Sequence, residues 1–222
     1  MNVKTTLLAL LVLLVGGQDV HGSGNIPGAW YSVWRSFGVD PYLAESVVWP
    51  ERQQHDYLRD ALETAADRST YVLFADGFDF SIGVFQMKPS FVEKLEKAWM
   101  DSGLAERFDV HFDVSPTPAA RSARLARMQS EEWQAVYIAV FLHQLSFSYD
   151  TEGLTQENLV KLAATAYNRG CEWTPRGSGD VEGLLALSGI ESFPRIIIPR
   201  PGQRRYSYAA LAWERYKSLL SQ

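Results

Sequence analysis

A chain of 222 residues that is 46% hydrophobic and 13% aromatic holds enough apolar material for a sizeable packed core, which excludes an intrinsically disordered protein. Its formal net charge of -5 supplies no general attraction to nucleic acid or to an anionic lipid surface. Cys171 is the sole cysteine, so no intramolecular disulfide forms, and His21, His55, His111 and His143 fall in no metal-binding spacing, so neither a metal nor another cofactor is expected.

The chain starts with an early cation, Lys4, an apolar run from Leu7 to Val15, and small and polar residues through Gly24. A membrane-spanning helix needs roughly 20 apolar residues, so this reads as a cleavable secretory signal, with small residues placed for cleavage after Gly17 or Gly22. An uncleaved anchor is the alternative. Residues 1–22 are assigned to the signal and 23–222 to one domain, exported and without a stable membrane anchor once the leader is gone. Loss of Lys4 and Asp19 with the leader leaves the net charge unchanged.

The mature chain reads as mostly helical. Segment 28–37 places Trp30, Val33, Trp34 and Phe37 on one helical face that ends at Gly38. Asp40 as N-cap and Pro41 at the first position open a second helix, which runs through Trp49. A third runs from about Asp56 to Phe74 and stops near Asp76-Gly77, a turn dipeptide. Phe78 to Met87, aromatic and β-branched around a central glycine, reads as a short hairpin or irregular extended loop. Pro89 to Met100 is helical again, closed by Ser102-Gly103, and 109–118, with Pro116 and Pro118, is a connecting loop. Ala119 to Phe147 keeps helical periodicity, with Trp133, Val136, Tyr137, Val140, Phe141 and Leu145 as the stripe of a central core helix. A helix over 155–168 begins at Thr155 and ends at Gly170; Arg195 to Pro199 reads as a short strand. A last helix, about Ser207 to Leu220, turns Tyr208, Leu211, Ala212 and Tyr216 inward. The expected fold class is mainly α with a small extended element.

Glu51 is the leading acid. It stands at the end of the stripe Leu43, Val47, Glu51, against apolar side chains that would favour its neutral form, the state a general acid needs. Pro50 removes the bond to the Ser46 carbonyl and disfavours α geometry at Trp49, so the helix is expected to kink or end where Glu51 emerges. A solvated glutamate in a post-helix turn is the plain alternative. Glu45 is its rival; at about 100° per residue the two point to well-separated faces, and Glu45 shares its register with Trp49. Downstream, Gly83 would let backbone approach a ligand closely, the Gln86 amide can both donate and accept, and Ser81 adds a hydroxyl. Ile82, Val84 and Phe85 need be no more than packing, and Asn168 before Gly170 no more than a helix-end residue.

Three blocks, Val47-Val-Trp-Pro-Glu51, Gly83-Val-Phe-Gln86 followed by Met87, and Ala164-Thr-Ala-Tyr-Asn-Arg-Gly170, resemble in order the catalytic-glutamate, Gly-x-x-Gln and Ala-Tyr-Asn segments of lytic transglycosylases of the lysozyme-like superfamily, which also holds goose-type lysozymes. The resemblance covers about 40–100 and 155–170, under half of the chain. Arg52 stands where the family pattern has serine, and Glu45-Ser46 imitates the family's Glu-Ser pair. The resemblance implies a lysozyme-like single domain with a short β-hairpin or extended loop beside a cleft. It implies Glu51 as general acid and base, Ser81, Gly83, Gln86 and Met87 along the saccharide, the Tyr167 hydroxyl near the carboxylate and Asn168 in the cleft. The partner it implies is the glycan strand of peptidoglycan, and the compartment the periplasm. Two alternatives stand beside it: a hydrolytic muramidase with Asp79 or Glu63 holding water, and a non-catalytic wall-binding protein. Trp30, Trp49, Tyr71 and Trp99 are offered either for stacking on sugar rings or for the core.

Overall fold

The structure, a computed structural model, describes residues 27–54, 71–72, 81–192 and 205–222. The leader over 1–22, most of the helix expected from Asp56 to Phe74, Glu63, Asp79 and the strand expected over Arg195 to Pro199 lie outside the described residues.

Among those residues the protein is mainly helical: α1 (Gly28–Ser36), α2 (Pro41–Gln54), α3 (Pro89–Asp101), α4 (Leu104–Phe108), α5 (Pro118–Gln129), α6 (Glu131–Ser148), α7 (Gln156–Arg169), α8 (Val181–Ala186) and α9 (Tyr208–Leu220). A two-stranded antiparallel ribbon pairs β1 (Glu191–Ser192) with β2 (Tyr206–Ser207). The helix starts follow from the sequence. Asp40 accepts from the Tyr42 N–H at 2.9 Å, Pro118 follows a Thr117 cap, and Thr155 accepts from the Asn158 N–H at 3.2 Å.

The expected single helix from Ala119 to Phe147 is two helices. Ser130 sits between them in extended geometry (φ -90°, ψ 123°), and its hydroxyl accepts from the Trp133 N–H. A serine N-cap followed by Glu131 and Glu132, whose charges favour a helix start, outcompetes continuity. Trp133, 37% exposed, leaves the stripe assigned to it, and so does Leu211 of α9, 38% exposed. Beyond its first turn α6 is largely buried, through Tyr137, Ile138, Val140, Phe141 and Leu145, with Ser146 exposed, as an apolar helix at the centre of a bundle must be. It packs on α1, α3 and α5, and the Trp34 indole of α1 donates to the Ala135 carbonyl at 3.0 Å.

One buried carboxylate, Glu96, ties α3 to α5 and α6. It accepts from Arg124 Nε and Arg127 Nη2, each at 2.7 Å, and from the Tyr137 hydroxyl. A second group of helices, α2, α7 and α9, packs against this one, with α9 lying along α2.

α2 does not stop at Trp49; it continues through Pro50 to Gln54. Proline there still leaves the Ser46 carbonyl without its helical partner, yet the turn is held by burial of Val47, Val48 and Pro50 and by the Tyr208 hydroxyl of α9, which donates to the Val47 carbonyl at 2.8 Å. Tertiary packing overrides the local penalty.

Candidate active site

Leu43 and Val47 are buried on the face of α2 that ends in Glu51, and Glu51 itself is half-buried. It borders a cavity of about 480 Å³ formed by the last turns of α2 and α7, the start of α3 and the 81–88 loop, within the size range of small-ligand sites. Of the residues singled out from the sequence, Glu51, Ser81, Gln86, Met87, Tyr167 and Asn168 all line it; Gly83 does not. Among the described residues that border the cavity, Glu51 is the one acidic side chain, and Lys88, Lys94 and Arg169 border it too.

The loop is built around the peptide of Phe85. Ile82 and Met87 exchange backbone hydrogen bonds of 2.7 and 3.1 Å, closing a four-residue turn. Gln86 adopts φ 53° in the left-handed region, and both its backbone N–H and its Nε2 donate to the Gly83 carbonyl at 2.9 Å. A non-glycine residue at positive φ costs energy and persists only where its surroundings hold it. Two helices do so here. Gln134 of α6 accepts from the Phe85 N–H at 3.0 Å while its Nε2 donates to the Met128 carbonyl at 2.7 Å. Tyr167 of α7 donates to the Phe85 carbonyl at 2.6 Å. The Phe85 ring meets Trp30 edge-on, with centroids 4.8 Å apart.

Gly83 therefore has a different reason from the one the sequence suggested. It lies at φ 75°, and a Cβ there would stand 1.8 Å from Gln134 Nε2. The glycine makes room for the glutamine that anchors the loop.

Tyr167 spends its hydroxyl proton on the loop. Burial first, and then the neighbouring Glu51 charge, push its pKa well above the ordinary tyrosine value, so it stays a neutral donor. The Asn168 side chain makes no hydrogen bond to another described residue, which leaves its amide available to the cavity.

Glu45 is not in this cavity. It is 1% exposed and turned toward α1 and α9, where it accepts from the Tyr31 hydroxyl and from Arg215 Nε at 2.7 Å and Nη2. The same guanidinium lies 3.9 Å from the Trp49 ring centroid, so one arginine covers both residues of the register read from the sequence. Burial raises the Tyr31 pKa, and the Glu45 carboxylate adds to the effect. Arg52, where the resembled pattern has serine, places its guanidinium over the Trp30 ring, 5.3 Å from the centroid.

None of the four aromatic residues offered for sugar stacking lines the cavity. Trp30, Tyr71 and Trp99 are core, and Trp49 is covered by Arg215. The aromatic wall is instead Phe91 and Trp173, both partly exposed, packed on Phe141 and, through Phe91, on Tyr167.

No family model, curated protein or solved structure matches this chain. The cavity brings together one carboxylate at a helix end, hydroxyl and amide groups that both donate and accept, two aromatic faces and three cations. That set suits a hydroxylated, amide-bearing, anionic ligand.

Sequence reasoning passed over Gln134, Phe91, Trp173 and the cations. Gln134 alone had a visible signal, a polar residue inside an otherwise apolar helix.

Proposed function

We propose that the chain is an exported, periplasmic peptidoglycan lytic transglycosylase with a lysozyme-like domain. Its substrate is the β-1,4 bond between N-acetylmuramic acid and N-acetylglucosamine. The observation that supports this most is the meeting of Glu51, Gln86, Tyr167 and Asn168 on one cavity; these are the residues the three sequence blocks single out, and the rival Glu45 is engaged in a buried ion pair.

In this reading Glu51, protonated, gives its proton to the bridging oxygen as the bond to the anomeric carbon breaks. The resulting carboxylate takes the proton of the muramyl 6-hydroxyl, whose oxygen closes on the anomeric carbon. The product is a 1,6-anhydromuramyl end, no water is consumed, and Glu51 finishes protonated. One carboxylate suffices because the nucleophile belongs to the sugar, whereas most glycosidases need a pair. Gln86 is held by the Phe85 clamp beside the acid, and Phe91 and Trp173 offer faces for sugar rings.

A positioned acid contributes about 10²–10⁴-fold, so Glu51→Gln should lower release of soluble muropeptides from purified sacculi by that order while thermal unfolding stays close to wild type. Undiminished release by a folded Glu51→Gln protein would overturn the assignment. A wall-binding protein would retain sacculi and release nothing in either form.

A further inference from the structure

Arg52 directly follows Glu51 on α2, yet the two side chains meet different neighbours. Glu51 borders the cavity, while the Arg52 guanidinium lies over the Trp30 ring of α1, 5.3 Å from its centroid. Trp30 is 4% exposed and meets the Phe85 ring edge-on, with centroids 4.8 Å apart. Phe85 is fixed at its N–H by Gln134 and at its carbonyl by Tyr167, and the residue after it is Gln86, on the cavity wall. A continuous set of contacts therefore joins the turn that carries the acid to the loop that carries the amide: Arg52, Trp30, Phe85, Gln86.

That turn needs holding from outside. α2 ends at Gln54, so Glu51 stands in a last turn whose carbonyls have no helical partner, and Pro50 has removed a bond just before it. On one side Tyr208 of α9 donates to the Val47 carbonyl; on the other Arg52 reaches Trp30 of α1. A cation in the last turn suits the helix dipole wherever it points, and that effect alone asks for no ring beneath it. The resembled pattern has serine at this position, which offers no cation to an indole face, so the tie is a feature of this chain. We propose that Arg52 is a positioning residue for the acid: through Trp30 and Phe85 it keeps Glu51 and Gln86 in register across the cavity, so that both address the same sugar. This rests on the glycan-cleaving reading of the cavity and concerns how its acid is placed.

The test crosses Arg52→Met, which keeps an unbranched side chain and removes the cation, with Trp30→Phe, which keeps a buried ring but offers the cation a weaker face. Urea unfolding and steady-state cleavage of soluble glycan strands are measured on the wild type, both single variants and the double variant. A guanidinium over an indole is worth about two- to thirtyfold in an equilibrium constant, and a reacting group displaced by about 1 Å loses up to about 100-fold in rate. Arg52→Met should therefore lower kcat by about tenfold or more and move KM by less than about twofold. Arg52→Lys, which returns a cation within reach of the ring, should recover most of that loss. In both measurements the double variant should lose less than the product of the single losses. Losses that simply multiply would assign Arg52 to the helix dipole and overturn the tie to Trp30. An unchanged kcat in Arg52→Met, beside a wild type that cuts, would overturn the positioning role and leave Glu51 as the acid. A wild type that cuts no strand would overturn the glycan reading and the positioning role with it, while the unfolding cycle still reports whether Arg52 and Trp30 are coupled.

Discussion

Two glutamates six positions apart on α2 meet opposite fates. Glu45 is surrounded by Tyr31 and Arg215, and Glu51 opens on the cavity. Their substitutions should therefore fail differently. Glu45→Gln removes one side of a buried ion pair, a change that costs about 3–5 kcal/mol because the partner charge stays behind. The expected result is a large drop in the urea midpoint, with activity per folded molecule retained. A Glu45→Gln protein as stable as wild type but inactive would place the acid at 45 and not at 51. The separation of the two faces was legible from helical periodicity alone, as was the sharing of a register by Glu45 and Trp49. That Arg215 would cover both was not, because it arrives from 170 residues away in the chain. The aromatic wall was missed for the same kind of reason. Phe91 and Trp173 differ from core aromatics only in which neighbours the fold brings near them, and no local pattern records that.

At the scale of the element, what was legible is what is local. Caps at Asp40 and Thr155 are properties of a few adjacent residues, and so is the proline that opens α2, whereas the Thr117 cap that starts α5 at Pro118 falls inside the segment read as a loop. The extended loop over 81–88 was legible too, as a glycine among aromatic and β-branched residues, but its purpose was not. Gly83 reads as a place for backbone to approach a sugar until Gln134 is seen against it. Gly83→Ala must accommodate both a positive φ and the overlap with the Gln134 amide, and a side chain forced into an incompatible backbone costs more than about 1 kcal/mol. The clamp on the Phe85 peptide should loosen with it, so the same substitution should lower stability and muropeptide release together. Full activity in Gly83→Ala would mean that the clamp does not position Gln86. Breaks and continuities were read least well. Pro50 predicts an end that packing by α9 overrules, and Ser130 makes a break inside a periodic run. The short helices α4 and α8 and the β1–β2 ribbon are too brief for periodicity to reveal.

For the molecule as a whole, composition and apolar period were enough for a mainly α domain built around α6, since an 18-residue helix with apolar residues on every face has to be central. How the surrounding helices lock onto it depends on contacts between distant segments. His143 of α6 is one of them: its Nε2 and the Phe37 carbonyl of the α1 end are 2.8 Å apart, so that nitrogen carries the proton, and its ring lies against Phe108 of α4. Burial chiefly, with help from the Arg107 charge and against the pull of the Phe37 carbonyl, lowers its pKa from the ordinary 6.5. The unfolded chain then takes up a proton at a pH where the fold does not. Stability is complete above about pH 6.5 and is lost as pH falls below it, until the folded-state pKa is passed. Urea midpoints from about pH 7.5 to about 5.5 should decline for the wild type and flatten in His143→Gln. An identical decline in the variant would assign the acid sensitivity to other groups.

The proposed reaction is an intramolecular displacement, driven by Glu51, by the sugar's own hydroxyl. Mass spectrometry of the muropeptides that the mature protein releases from sacculi reads this directly. The expected products carry 1,6-anhydromuramyl ends, one water lighter than hydrolysed ends, that vanish with Glu51→Gln. Reducing muramyl ends would contradict it and make the protein a hydrolase.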